Sequence, residues 1–228
     1  LCRPGMGEEE KIQAAYEWLI SSTSFAQPVG LDVWRYRGQN QPPDYLENRA
    51  LSPLLFGLGS CEDYAAALTV LLQEMGFEAV YVAGLTISVE GDFVDHAWTA
   101  VQLRGEWYHL DAQLEDNILR NDFLTYRYFL RSDKTMLADH RWGENLLDFA
   151  AWTPKQQEEI LQWMPPKECS VDFPTPSPKR LQQAAVSRQQ VQEEISQEKQ
   201  AYIREHGSLP PLELNTTPPV FGGEEFHG

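Results

Sequence analysis

Cysteine, basic residues and long apolar runs are all scarce in this chain of 228 residues. It carries 18 Lys and Arg against 34 Asp and Glu, a formal net charge of −16. This acidic excess argues against nucleic-acid binding, which requires a basic surface to neutralise phosphates. No run approaches the roughly 20 consecutive apolar residues that a membrane-spanning helix needs. We therefore expect no nucleic-acid partner and no membrane span.

The three cysteines, Cys2, Cys61 and Cys169, are too few for a disulfide framework and too widely spread for a zinc site. Zinc ligands usually occur in pairs such as Cys-x-x-Cys, and the histidines and carboxylates show no paired spacing either. We expect no metal, no cofactor and at least one free thiol.

Aromatic and proline residues divide the chain near Met164. All seven Trp lie in residues 1–164, whereas nine of the 15 Pro lie in residues 165–228. The composition therefore predicts a folded domain over 1–164 and an appendage over 165–228. In the appendage we expect a proline-rich linker, a long helix over about 180–206 and a disordered tail. The thin apolar stripe of that helix indicates weak docking, contact with a partner, or self-association.

The first domain has the pattern of helices around an antiparallel meander. Ser60 and Asp63 stand at capping-box positions before an apolar helical run that Gly76 can end. The remaining segments are a helix over 8–21, a partly irregular stretch over 24–59, strands over 78–87, 94–103 and 106–111, and a mostly helical region over 123–164 with a helix from Thr153-Pro154 to Trp163.

Cys61 stands in the first turn of the helix predicted over 60–76. Unpaired backbone N–H groups and the helix dipole stabilise a thiolate there, so the position suits a nucleophile. Taken alone, a single cysteine beside an Ala- and Leu-rich helix is better explained as a small buried apolar residue.

His96 and Asp111 fall on adjacent predicted strands, and their relation follows from the turn between them. If Arg104-Gly105 is a two-residue hairpin loop, Leu103 pairs with Glu106. His96 then lies diagonally from Asp111 on the same face of the sheet, within reach of an imidazole–carboxylate hydrogen bond. A cysteine, a base and an orienting carboxylate are the parts of a nucleophilic catalytic site.

Four stretches carry a recognisable combination of residues: GSCEDYA at 59–65, MGF to VAG at 75–84, DHAW at 95–98 and GEWYHLD at 105–111. Together they resemble the transglutaminase-like superfamily, and the similarity spans about residues 5–142. The resemblance implies an α+β fold of the papain-like, transglutaminase-like kind. In such a fold the nucleophile helix packs on an antiparallel sheet, here followed by a C-terminal helical arm.

For the chemistry, the resemblance implies that Cys61 is the acyl-accepting nucleophile, His96 the general base and acid, and Asp111 the orienting residue. Family members transfer acyl groups from, or hydrolyse, amide bonds in protein or peptide substrates. Bacterial relatives are often exported or attached to the cell envelope, which makes an extracytoplasmic location the family-level expectation. Because the first residue is Leu, we expect the reading frame to begin earlier.

Several roles stay open at the level of sequence. The oxyanion donors are expected to be the backbone N–H of Cys61 and one side chain from Gln39, Gln41 or Tyr45. Trp98 is equally compatible with a cleft wall and with the core. His109 and His140 have no evident partner and are expected to be structural.

A second class of function fits the same residues. The domain could keep the fold as a non-catalytic binding or scaffolding module, with residues 165–228 as its interaction arm. The intact set of Cys61, His96 and Asp111 argues against this alternative, because a binding module requires none of the three.

Overall fold

The structure is a computed structural model that describes residues 2–26, 44–118, 123–147 and 152–208. Gln39, Gln41 and the predicted disordered tail lie outside the described residues. Among the helices of the described ranges, none combines the length and apolar character needed to cross a membrane.

Three helices precede the main sheet. They are α1 (Glu8–Ser22), α2 (Tyr45–Phe56) and α3 (Cys61–Glu74). The first and third lie close to their predicted bounds, whereas α2 falls in the stretch expected to be partly irregular. The start of α2 is capped by the Asp44 side chain, which accepts a hydrogen bond from the backbone N–H of Glu47 at 2.8 Å. Gly57 ends the helix with a φ of +63°.

The predicted antiparallel meander is confirmed. Strands β3 (Ala79–Ile87), β4 (Phe93–Leu103) and β5 (Glu106–Leu110) form the centre of a five-stranded sheet. Two short edge strands, β7 (Phe129–Arg131) and β8 (His140–Trp142), complete the order β7-β5-β4-β3-β8. Two further pairs are short: β1 (Ser24–Phe25) with β2 (Leu58–Gly59), and β6 (Phe123–Leu124) with β9 (Lys179–Arg180).

The prediction that residues 123–164 are mostly helical is wrong. Besides the short strands, the described part of this region holds only α5 (Asp133–Met136), a 3-10 turn (Gly143–Leu146) and α6 (Pro154–Gln162), while α4 (Ala112–Ile118) precedes it. Tyr126 and Leu130 have positive φ angles of 59° and 51°, which interrupt a helix. Pairing of β7 and β8 with distant strands overrides the local helical preference.

Alternating side chains of the sheet enter two cores, one on each face. Tyr81 and Ala97 pack with α1 and α3 in the larger core. Val82 and Trp98 point to the opposite face, where they meet Trp142 from β8. Both faces of the central strands are therefore covered, and α1 and α3 lie on one of them.

The C-terminal segment packs against the domain before its helix begins. Cys169 is buried in the second core, and the backbone N–H of Ala184 donates to the Ser21 carbonyl oxygen at 2.7 Å. The predicted helix over 180–206 is shorter in the structure, where α7 spans Arg188–His206, because Lys179 and Arg180 pair with β6 and Ala184 bonds to the end of α1. The domain division at Met164 and self-association through α7 stay predictions.

Gly84 lets three strands meet closely, since it pairs with His96 on β4 and with Trp142 on β8. A Cβ at this position would overlap the Arg141 carbonyl oxygen and lie 2.8 Å from the Trp98 ring. We expect Gly84→Ala to lower the free energy of unfolding by about 3 kcal/mol, measured by urea denaturation.

Gly76→Ala is the matched control for that substitution. Gly76 has φ +87°, and a Cβ added there would meet nothing within 4 Å, so the only cost is backbone strain of about 1 kcal/mol. Equal losses in the two variants would contradict the close approach at Gly84.

Candidate active site

Cys61 is the first residue of α3 and is half-buried, with a free thiol. The helix starts there because the Asp63 carboxylate accepts hydrogen bonds from the Ser60 backbone N–H at 2.9 Å and the Ser60 hydroxyl at 3.1 Å. This is the capping arrangement that the sequence predicts. The thiol consequently lies at the positive end of the helix dipole.

The hairpin between β4 and β5 brings His96 next to Asp111. Leu103 pairs with Glu106 as predicted, and Arg104 and Gly105 form the two-residue loop with φ angles of +54° and +88°. In this register His96 Nε2 lies 2.6 Å from Asp111 Oδ2. Both residues are buried, so the contact is shielded from water.

The carboxylate of Asp111 is held from several sides. Asp111 Oδ1 accepts a hydrogen bond from the backbone N–H of Leu114 at 3.0 Å. The backbone N–H of Asp111 donates to the Tyr128 carbonyl oxygen at 3.0 Å. The hydroxyl of Tyr16 donates to the Asp111 carbonyl oxygen at 3.0 Å. These contacts fix the position of the carboxylate beside the imidazole of His96.

The charges of the site favour an imidazolium at His96. Burial alone would lower the pKa of His96, but the charge and hydrogen bond of Asp111, together with a hydrogen bond and charge at Cys61, raise it from 6.5 to about 10. Burial opposes ionisation of Asp111 as well, yet His96 and His140 hold the pKa of that carboxyl well below its usual range. Cys61 and Asp111 thus act on the same imidazole.

His140, which the sequence left without a partner, also contacts Asp111. Its Nε2 lies 3.0 Å from Asp111 Oδ2, and its Nδ1 lies 2.6 Å from Asp139 Oδ1. His140 reaches this place because β8 pairs with β3, where Thr86 faces it. Sequence reasoning missed the contact because it predicted a helix over the residues that form β8.

Trp98 and His109 belong to the core. Trp98 is 1% exposed, and its indole N–H donates to Nδ1 of His109 at 2.9 Å. Nε2 of His109 lies 2.8 Å from Asp133 Oδ1, and burial lowers the pKa of His109. The neutral ring therefore carries its hydrogen on Nε2. Trp98 stacks on His96 with ring centroids 5.9 Å apart and supports it from the core side.

Tyr81 is a buried aromatic residue whose ionisation is coupled to Cys61. Burial raises the pKa of Tyr81 well above its usual value, with Tyr45 and Cys61 as the next causes, so Tyr81 lies within the electrostatic reach of Cys61. The Trp163 ring packs on Tyr81 at 5.6 Å between centroids. Of the three expected oxyanion side chains, Tyr45 alone is described, and its hydroxyl accepts a hydrogen bond from Arg49 Nε at 3.0 Å.

Two sets of side chains bring metal-ligand atoms within 4.8 Å of one another: His96, Asp111 and His140, and His109, Asp133 and Cys169. In both sets a histidine nitrogen lies directly on a carboxylate oxygen, at 2.6 to 3.0 Å. Two ligands of one zinc ion lie farther apart, about 3.3 Å, given bonds of about 2 Å in tetrahedral geometry. The distances fit hydrogen-bonded networks, and the absence of a metal stays a prediction.

Comparison with known proteins agrees with this geometry. Residues 2–112 match the family described as the transglutaminase-like superfamily. Over these residues the chain is similar to that superfamily. The α+β transglutaminase-like fold expected from the sequence is thereby confirmed, and the superfamily supports cysteine-dependent catalysis in general without specifying a reaction.

Solved structures show weaker likenesses to this transglutaminase-like chain. One is a TGase, 19% identical over 47% of this chain and 27% of its own, with a TM-score of 0.34. Another is an arylamine N-acetyltransferase from Bacillus cereus with a Cys-His-Glu catalytic triad, which is 16% identical over 48% of this chain and 43% of its own. Its TM-score is also 0.34. The matches thus span less than half of those chains and carry no argument about the reaction. No curated protein matches the chain.

The pKa of His96 predicts how stability depends on pH. Since folding raises that pKa from 6.5 to about 10, the stabilisation from its proton is complete below pH 6.5 and is lost as the pH rises through about 10. Folding lowers the pKa of Asp111, so the stabilisation from its ionised carboxylate depends on pH in the opposite sense and is lost only in acid. We expect the free energy of unfolding to fall across this alkaline window, by up to about 1.4 kcal/mol per pH unit, more steeply for the wild type than for His96→Gln. Urea denaturation at several pH values checks this, and parallel pH dependences would contradict it.

Proposed function

We propose that the transglutaminase-like domain is a cysteine-dependent enzyme that acts on amide bonds of proteins or peptides. Cys61 is the nucleophile, His96 the general base and acid, and Asp111 the residue that orients His96. The proposal is supported above all by one observation: the Asp111 carboxylate lies 2.6 Å from Nε2 of His96, and Asp111 and Cys61 both raise the pKa of that imidazole.

The first half of the reaction follows from that arrangement. The Cys61 thiolate attacks the carbonyl carbon of the amide, forming a C–S bond and an oxyanion. The backbone N–H groups at the start of α3 offer donors to that oxyanion. As the intermediate collapses, the C–N bond breaks and His96 gives its proton to the departing amine or ammonia. The product is a thioester on Cys61.

The second half restores the enzyme. A water molecule or an amine gives a proton to the now neutral His96 and attacks the thioester carbon. The C–S bond breaks, Cys61 leaves as a thiolate, and the acyl group is released as an acid or a new amide. Water gives hydrolysis and an amine gives acyl transfer, and the same three side chains serve both outcomes.

Turnover tests this assignment. We expect the full chain, given glutamine-containing peptides and a primary amine, to release ammonia and to form a thioester on Cys61 that intact mass spectrometry detects. Cys61→Ala removes the nucleophile and should abolish both signals. Asp111→Asn leaves His96 in the wrong tautomer and should lower kcat/KM by roughly 10²- to 10⁴-fold.

Cys2→Ala is the matched control, because Cys2 is exposed and removing its thiol should change neither signal. If Cys61→Ala retained turnover, the assignment would fail. If the wild type neither turned over nor formed a thioester with any peptide, a binding module would be the better description of the domain.

A further inference from the structure

His140 is a buried titratable residue that the proposed reaction does not use. Its side chain is completely buried, and each of its two ring nitrogens lies within hydrogen-bond distance of a different carboxylate. Nε2 is 3.0 Å from Asp111 Oδ2, and Nδ1 is 2.6 Å from Asp139 Oδ1. A purely structural histidine such as His109 instead has one donating and one accepting partner.

Both contacts of His140 place a ring nitrogen against a carboxylate oxygen. A neutral imidazole has one N–H donor and one bare acceptor nitrogen, whereas an ionised carboxylate can only accept. Burial opposes ionisation of both carboxyls, but His96, together with His140, lowers the pKa of Asp111, and His140, Tyr128 and Arg127 lower that of Asp139. A ring that donates to both carboxylates carries a hydrogen on each nitrogen and is an imidazolium.

The charges around His140 alternate in sign. The Cys61 thiol, the His96 imidazolium and the Asp111 carboxylate precede it. Asp139 follows, and its Oδ2 accepts a hydrogen bond from the exposed side chain of Arg127 at 3.1 Å. Every charge in this line has a neighbour of opposite sign, which compensates for the cost of burial.

We propose that His140 is a positively charged positioning residue of the active site, acting on His96 and Cys61 through the shared oxygen of Asp111. This inference rests on the function proposed above. Both histidine Nε2 atoms contact the same oxygen, Asp111 Oδ2, so the carboxylate divides its charge between two cations. His140 thereby weakens the hold of Asp111 on the His96 proton, which has to pass to the departing amine. Its positive charge also favours the Cys61 thiolate.

The other groups that face His140 are consistent with a cation. The His96 ring lies 5.6 Å away between centroids, with Asp111 bridging the two. The Tyr128 ring lies 5.5 Å away, and its hydroxyl donates to Asp139 Oδ2 at 2.7 Å.

A pair of glutamine substitutions tests the proposal. His140→Gln keeps an amide donor for Asp111 but cannot carry a charge. We expect the midpoint of the pH profile for iodoacetamide alkylation of Cys61 to rise by roughly half to one pH unit, because one nearby positive charge is lost.

His109→Gln is the matched control. It replaces an equally buried but neutral ring with an amide that can still accept from Trp98 and donate to Asp133, so the midpoint should stay at the wild-type value. An unchanged midpoint in His140→Gln, or equal shifts in both variants, would overturn the proposal.

The charge of His140 is measured directly in the wild-type protein. NMR of histidine labelled with ¹⁵N in the ring, with the signal assigned by its loss in His140→Gln, should show both nitrogens protonated between about pH 6 and 8. One protonated and one bare nitrogen would overturn the proposal even if His140→Gln fails to fold. This readout does not depend on Cys61. A failure of the proposed function would instead appear as a wild-type Cys61 that is alkylated no faster than Cys2.

Discussion

The buried Asp111 carboxylate is the group on which the arrangement of the site depends. It is 1% exposed, and an ionised carboxylate at such depth requires hydrogen-bond donors and opposite charge. His96 and His140 supply both at Oδ2, and the Leu114 backbone N–H supplies a donor at Oδ1. The orientation of His96 toward Cys61 is thus one consequence of satisfying this carboxylate, and the burial of His140 is another.

The sheet brings those donors together around Gly84. His96 lies opposite Gly84 on β4, while Trp142 lies opposite it on β8, two residues from His140. Because Gly84 has no side chain, the Trp98 ring and the β8 backbone can approach β3 closely. The packing of the second core and the geometry around Asp111 are therefore coupled through one glycine.

Local signals in the sequence account for the central part of the fold. The capping residues Ser60 and Asp63 predict the start of α3, and the Arg104-Gly105 turn predicts the register that brings His96 to Asp111. Both depend on residues close together in the chain. The pairing of β8 with β3 has no such local signal, because three-residue strands are defined by their distant neighbours. For that reason the sequence assigned His140 no partner. The helix predicted from residue 180 was too long for the same reason, because Arg180 pairs with β6 and Ala184 bonds to α1 despite the strong local helix propensity.

The central proposal is that Cys61 is the reactive nucleophile of the fold, with His96 as its base. Site-resolved alkylation of the three cysteines in the folded wild-type protein, followed by mass spectrometry across the acidic and neutral range, tests it directly. We predict that Cys61 reacts rapidly below about pH 6, that exposed Cys2 reacts only as the pH approaches the ordinary thiol value of about 8.5, and that buried Cys169 reacts last. A Cys61 thiol that reacts no faster than Cys2, or only after unfolding, would contradict it.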